Sequence, residues 1–518
     1  MAEPPQARTA GPAPKTGATL RERIARNPGP ALRWAAVAAA LVVVQFGSLV
    51  SGLVTVLDAT VVGATGIVEI VVGLFAPGPA RVAVDVQIAV SGFLDGIRNF
   101  ARGFPTLLSR DLIPNQGHRT GPNGPWVGTF LGLQPAVAWA IRATLVVAYS
   151  VGCFYWTFRG WLVFREHYRA ADWTPSDDVV DRLRGHYWGQ FGILVLVLFL
   201  TMSLFGPTLG TTTVDKNIIS TYSYDTSYYD EDAGEVKTVT VGNANFNSKS
   251  KGDPGQNVGP LTYDDYDRFH VFGTLKNGRD LFSYMMGGAR ITLIVAGIAI
   301  GLAALIAMLL SMVAAYYGGT VDLTVLTVSD GVVSIPQLLL LIMASFVFNG
   351  HWLGDALNGG LLLALLFGMT TWPFLWRAVR GPALQVAEEE WIMAAQSFGQ
   401  HPRTIMQKHM LPFVLGYLLV YASMTVGGII ISLSALSFLG NGLGITQPTP
   451  AWGRAVSEGQ SLVSTASWHI SFISGMMIVV LVVGLNALGD GVRDAIDPES
   501  GAGSDTDDNE EAAMGGGA

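Results

Sequence analysis

The chain has 518 residues, half of them hydrophobic and only 14% charged, with a formal net charge of −8. Soluble proteins carry about 25% charged residues, and several apolar runs here reach the roughly 20 residues that cross a hydrocarbon core, so a soluble globular class is excluded. The single cysteine, Cys153, excludes an intrachain disulfide and a cysteine metal site, and the eight histidines show no metal-ligand spacing.

Residues 1–30, rich in Pro, Ala, Gly and Arg, read as a disordered basic N-terminus. An extension over 31–158 follows, with apolar runs at about 35–56 and 136–158 that each predict a span; Arg142 lies inside the second. Between them, 59–75 is apolar but short, with Glu69 in its middle. It reads as an interfacial or re-entrant helix, with a third crossing as the alternative. The extension should pack two spans at the periphery, as a stabilising or regulatory addition outside the transport path. Residues 159–187 form a basic linker, and the core covers 188–498. Its six predicted spans lie at about 188–206, 291–315, 322–347, 359–377, 413–436 and 468–489. Lys and Arg cluster before the run at 35–56, after that at 136–158 and in the loop after 359–377, which holds Arg377, Arg380, Arg403 and Lys408. The positive-inside rule places these segments and both termini in the cytoplasm if the extension crosses an even number of times. The tail 499–518 is acidic and reads as disordered.

The outer loop 207–289 holds alternating stretches such as Val236–Val241 and turn pairs at Asp253-Pro254-Gly255 and Asn277-Gly278. These predict a small β-rich subdomain. The fold class is therefore an all-α polytopic membrane protein with a small β-rich loop subdomain.

The most informative stretch is 390–412, within the polar loop 378–412. It predicts a helix, a turn near Gly399 and a second helix that starts at His401-Pro402 and ends at Pro412. Ala394 and Ala395 would let a partner approach the helix backbone. An ordinary amphipathic connector is the plain alternative. Asp330 lies inside a predicted span, and an intramembrane acid faces a cavity or a partner. Pro336, six residues on, should kink that helix.

Glu390, Ala394, Ala395, Gly399, Leu411 and Pro412 resemble the coupling ("EAA") loop of permease subunits of binding-protein-dependent ABC importers. Met393 stands where that pattern commonly has a second glutamate. His270, Gly273, Thr274, Gly278, Arg279 and Asp280, followed by Gly288-Ala289-Arg290, resemble a signature of the dipeptide/oligopeptide/nickel subfamily, in its second-permease (C-type) branch. Leu275 replaces an aspartate of that signature. Residues 315–322, 434–453 and 488–498 fit the same branch, so the resemblance covers about 185–498.

The resemblance implies a six-span ABC permease core and an importer of dipeptides or oligopeptides in the cell membrane. Nickel or another small solute is an alternative, and an ion-coupled carrier or channel a more distant one. It implies a homologous second permease, two cytoplasmic ATPases and an extracytoplasmic substrate-binding protein as partners. Glu390, Ala394, Ala395, Gly399, Arg403, Leu411 and Pro412 would then couple to the ATPases. Gly273, Thr274, Gly278, Arg279 and Asp280 would shape the outer gate or receptor-docking surface. Asp330 and Pro336 would lie on the path or the permease interface. The sequence holds no phosphate-loop motif, so no cofactor is expected in this chain. It should not be an enzyme; ATP and Mg2+ would sit in the partner ATPases.

Overall fold

The computed structural model describes residues 19–73, 77–103, 108–169, 175–248, 257–440 and 443–496. The turn expected at 253–255, the Asp497-Pro498 pair, the acidic tail and residues 1–18 lie outside them. Disorder through residue 30 is corrected. Helix α1 (Leu20–Arg26) starts with a capping box between Thr19 and Glu22, and α2 (Pro28–Val44) places Pro28 at its first turn.

The first predicted span is also corrected. The run at 35–56 divides at Gln45, and its second half belongs to α3 (Phe46–Gly73). Residues 59–73 are thus the latter half of one 28-residue helix, not a separate short one. Helix α4 (Pro77–Arg102) folds back along α3. A short ladder of β1 (His118–Arg119) and β2 (Trp126–Val127) precedes α5 (Pro135–His167), the second predicted span.

Helix α6 (Pro175–Gly185) leads into α7 (Tyr187–Leu209). The segment after α7 forms the hairpin of β3 (Asp225–Asp230) and β4 (Glu235–Thr240), then α8 (Val241–Ser248), then the pair β5 (Thr262–Tyr263) and β6 (Phe269–His270). Asp225 opposes Thr240 and Asp230 opposes Glu235. The β-rich character was legible from alternation; α8 was not.

Helix α9 (Leu281–Tyr317) starts ten residues before its apolar run because Asp280 caps it. The next predicted span is two helices, α10 (Gly319–Ser334) and α11 (Gln337–Val347), bent by 72° at Ile335-Pro336. Pro336 therefore breaks the helix rather than kinking it. Short α12 (Trp352–Asp355) precedes α13 (Gly360–Ala387); then come α14 (Glu390–Ser397), α15 (Pro402–Ile405), α16 (Leu411–Leu439), α17 (Trp452–Gly459) and α18 (His469–Ile496).

Among the described residues, six stretches are long and apolar enough to cross a membrane, beginning at Pro135, Tyr187, Leu281, Trp352, Pro402 and His469; the bent pairs α1–α2 and α10–α11 would bring the total to eight. That gives six core crossings and two in the extension, the predicted fold class.

The crossings pack on small residues, as helices in lipid must where dispersion replaces the hydrophobic drive. A Cβ on Gly192 of α7 would meet Leu488 N at 2.4 Å and Gly484 O at 2.6 Å on α18. Side-chain contacts fix which ends share a face. Tyr168 at the end of α5 bonds Asn27 and Ala31 at the start of α2. Arg182 and His186 reach Ala495 O and Asp494 at the end of α18. One face thus carries the starts of α2 and α7, the end of α18 and the 388–410 segment. The opposite face carries 108–134, 210–248, 257–280, 348–359 and 443–468.

Candidate functional site: a helical hairpin beneath the spans

Residues 388–411 form a compact hairpin at the membrane ends of α13 and α16. Helix α14 buries Ile392 and Ala395, three residues apart on one face, against Trp376, Val379, Ala383, Ile405, Met410 and Val414. Gly399 turns the chain with φ +72°, a left-handed conformation that costs a side-chain residue roughly 1 kcal/mol or more. Its backbone N–H donates to Gln396 O, closing the helix end. Trp391 packs on the Phe413 ring at 5.5 Å, tying the first arm to α16, and His409 Nε2 and Gln400 Oε1 lie 3.2 Å apart, tying the turn to the second arm.

The second arm differs from expectation. His401 caps α15, with Nδ1 accepting from Arg403 N, and Pro402 occupies the first turn as predicted. Yet the helix does not end at Pro412. One π-turn, Met406–Met410, carries it into α16, so 402–439 is one continuous helix. Pro412 is accommodated because it sits in the first turn after that irregularity, where a missing N–H costs little. Helix α15 is therefore continuous with a stretch long and apolar enough to cross a membrane.

The remaining face looks away from the bundle. Glu390, Ala394, Gly399, Arg403 and Pro412 are exposed, and Leu411 is partly so. Met393 is half exposed and Phe398 87% exposed, beside Ala394. The two alanines thus divide their roles: Ala395 packs inward and Ala394 faces out. Met393, the departure from the family pattern, stands on the outward face. Phe398 was missed by sequence reasoning; one apolar residue before a polar turn carries no periodic signal.

The second motif lies on the opposite face and is largely interior. Gly273, Thr274, Gly278 and Asp280 are closed inside a turn in which Thr274 pairs with Asp280. Gly278 has φ +77°, and a Cβ there would lie 1.8 Å from Asn245 O. As a docking surface these four are corrected: all four residues are buried within the subdomain. Arg279 alone of the five reaches the surface, in an open pocket of about 450 Å³ with Lys276, Glu458, Tyr222 and Phe246.

Asp280 Oδ1 accepts from Ser283 N at 2.7 Å, capping α9, while Oδ2 faces His270 Nδ1 at 2.8 Å. His270 Nε2 lies 3.3 Å from Asp264, which also takes the Arg268 guanidinium. Burial disfavours the imidazolium, but the two carboxylates outweigh it and raise the His270 pKa. Burial likewise opposes the Asp280 and Asp264 charges, and their cationic partners still hold both below the usual carboxylate range.

Asp330 is not a lone acid in its span. It accepts from Arg377 Nη2 of α13, and one helical layer away Asp322 takes the Arg380 guanidinium bidentately. Arg377 and Arg380, read from sequence as loop cations, are helix residues. Two acids eight apart on one span and two arginines three apart on the next were the available signal. The Asp330–Arg377 pair is exposed on the bundle surface, beside the break at Pro336.

Residues 282–500 match the family described as "Binding-protein-dependent transport system inner membrane component". The dipeptide transport system permease protein DppC of Alkalihalophilus pseudofirmus is 34% identical over 230 residues, 44% of this chain and 72% of that protein. The oligopeptide permease OppC of Bacillus subtilis is 28% identical over 322 residues, 62% and 89% of the two chains. The glutathione permease GsiD of Escherichia coli is 34% identical over 244 residues, 46% and 77%. With these relatives, the bundle of crossings and the hairpin beneath it, the chain belongs to the inner-membrane permease components of binding-protein-dependent ABC importers, of the dipeptide/oligopeptide type.

Proposed function

We propose that this chain forms half of the translocation path of an ATP-driven importer for dipeptides or oligopeptides and couples to its motor through the 390–412 hairpin. The observation that carries the reading is the hairpin's division into a buried seam and an outward face that includes Ala394, Met393 and Phe398. Phe398 would fill a pocket on the partner, and Ala394 would allow close backbone approach. The partners are two cytoplasmic ATPases that bind ATP and Mg2+, a homologous second permease and an extracytoplasmic binding protein. Closure of the ATPases would push α15 and, through its continuity with α16, tilt a span between two states. The hairpin side, with both termini, then faces the cytoplasm, and the 210–280 side faces out. Asp330 and Pro336 lie on the surface offered to the path or the second permease. The relatives' names favour peptides over the nickel alternative.

The test is Ala394→Trp in the reconstituted complex. Uptake of peptide and substrate-stimulated ATP hydrolysis should both fall strongly while the purified permease keeps its melting temperature. Unchanged uptake would remove the hairpin from the coupling role.

A further inference from the structure

The α3–α4 hairpin falls outside the family match and plays no part in the reading above. Polar pairs join its two helices, beside buried apolar residues that include Val54 and Leu94. Asp58 of α3 accepts from Ser91 at 2.6 Å and pairs with Arg98, and Thr65 bonds Gln87 at 3.3 Å. Its outside is apolar. Val82, Val86, Phe93 and Phe100 of α4 are between 53% and 69% exposed, with Ala89 exposed among them.

At about 100° per residue, helix α4 divides into three sectors. Positions 82, 86, 89, 93 and 100 fall within roughly 60° of one another, forming the apolar stripe. Gln87, Ser91, Leu94 and Arg98 face α3. Arg81, Asp85, Asp95 and Asn99 occupy the third sector, with Ile88 the apolar exception there. A helix with one flank against protein, one apolar and one polar fits a boundary between hydrocarbon and water.

The hairpin's level in the bundle agrees. Helix α2 runs antiparallel to α5 through Trp34–Trp156 and Tyr149–Leu41 contacts, which brings Gln45 level with Leu145. Trp139, six residues earlier, donates to Leu209 O at the end of α7. At 1.5 Å per residue α3 therefore starts roughly 9 Å below the end of that span. Farther along, Val62 packs against the cluster of Leu353, Leu361, Leu362 and Leu365 at the start of α13, and Gly66 abuts Trp352. Both points lie just inside the bundle face that carries 210–280, so α3 runs across the spans at one level.

We propose that α3–α4 is an in-plane collar embedded in the leaflet beside the 210–280 face, with the stripe Val82–Phe100 seated among lipid acyl chains. The ligand is hydrocarbon rather than a charged headgroup: the stripe holds no charge, and Arg98 is already paired with Asp58 and Asp95. The depth matches the roughly 5–10 Å at which interfacial helices sit. The collar thereby fixes the extension to the membrane without adding a crossing.

The test uses the full chain with Cys153→Ser, in nanodiscs of phosphatidylcholine, carrying single spin labels at Val86→Cys, Phe93→Cys, Asp85→Cys and Asn99→Cys. The first pair should show an oxygen-to-nickel-chelate collision ratio several-fold above the second. Val82→Cys and Phe100→Cys give an independent reading if either stripe variant is poorly produced. Equal ratios in all positions would overturn the proposal in favour of a water-exposed hairpin. Stripe labels immobilised and shielded from both agents would overturn it in favour of a protein partner. Either failure leaves the coupling reading standing, because that is read by transport.

Discussion

Arg142, fully buried near the start of α5, donates from Nη2 to the carbonyl of Gly210, the residue that ends α7. The same guanidinium reaches Thr208 O, Ile113 O and Asn115 Oδ1, each at 2.8 Å. It satisfies carbonyls that the end of a helix leaves open, and the negative end of the helix dipole favours its charge. The extension is thus bolted to the first core span. Arg142→Met should lower stability by about 3 kcal/mol or more, since several buried acceptors lose their donor together. Thermal unfolding of the purified protein in detergent measures this. A loss under 1 kcal/mol would mean that water replaces the guanidinium.

The two alanines of α14 should behave oppositely. Ala395→Leu overpacks the seam with Ile392 and Val414 and should cost about 1–3 kcal/mol. Ala394→Leu, on the outward face, should change stability by less than about 0.5 kcal/mol and instead weaken ATPase binding. Melting curves and co-purification separate the two effects.

Met393 is half exposed, so Met393→Glu should leave the fold intact. The restored carboxylate should make ATPase association more sensitive to salt, because exposed charge contacts are screened. Identical salt dependence in both forms would show that no cation of the partner faces this position.

The His270 network should give the subdomain an alkaline limit. Charged His270 contributes fully below its unfolded pKa of about 6.5, and the contribution is lost as pH rises through the raised folded value. Asp264 and Asp280, held low, contribute fully above about pH 4 and lose this as pH falls further. The melting temperature should therefore peak between these limits. His270→Gln should flatten the alkaline limb specifically. A wild-type profile with no decline above pH 7 would show that the imidazolium does not hold the subdomain.

Gly278 combines φ +77° with contact against Asn245 O. Gly278→Ala should destabilise by at least about 2 kcal/mol, from conformational strain and a clash with backbone. The effect should appear in folding yield and melting temperature before it appears in substrate specificity.

Much of this protein was legible in the chain alone. The spans could be read because lipid requires long apolar helices. The 390–399 helix and its turn could be read because Pro402 and Gly399 have strong local preferences. Local chemistry also fixed the alternation of the β4 segment. Tertiary structure decided the rest, because it depends on residues distant in sequence. Only packing shows that Ala395 is buried while Ala394 is free, since both suit a helix equally. Only the pairing of α10 with α13 shows that Asp330 and Asp322 already have arginine partners. The four signature residues Gly273, Thr274, Gly278 and Asp280 looked like a surface motif, and the fold encloses them. The largest departure is the extension: Gln45 ends a helix in the middle of an apolar run, where composition gives no sign. The polar seam between Asp58 and Arg98 then turns the following hairpin apolar side outward, an arrangement that hydropathy averages conceal.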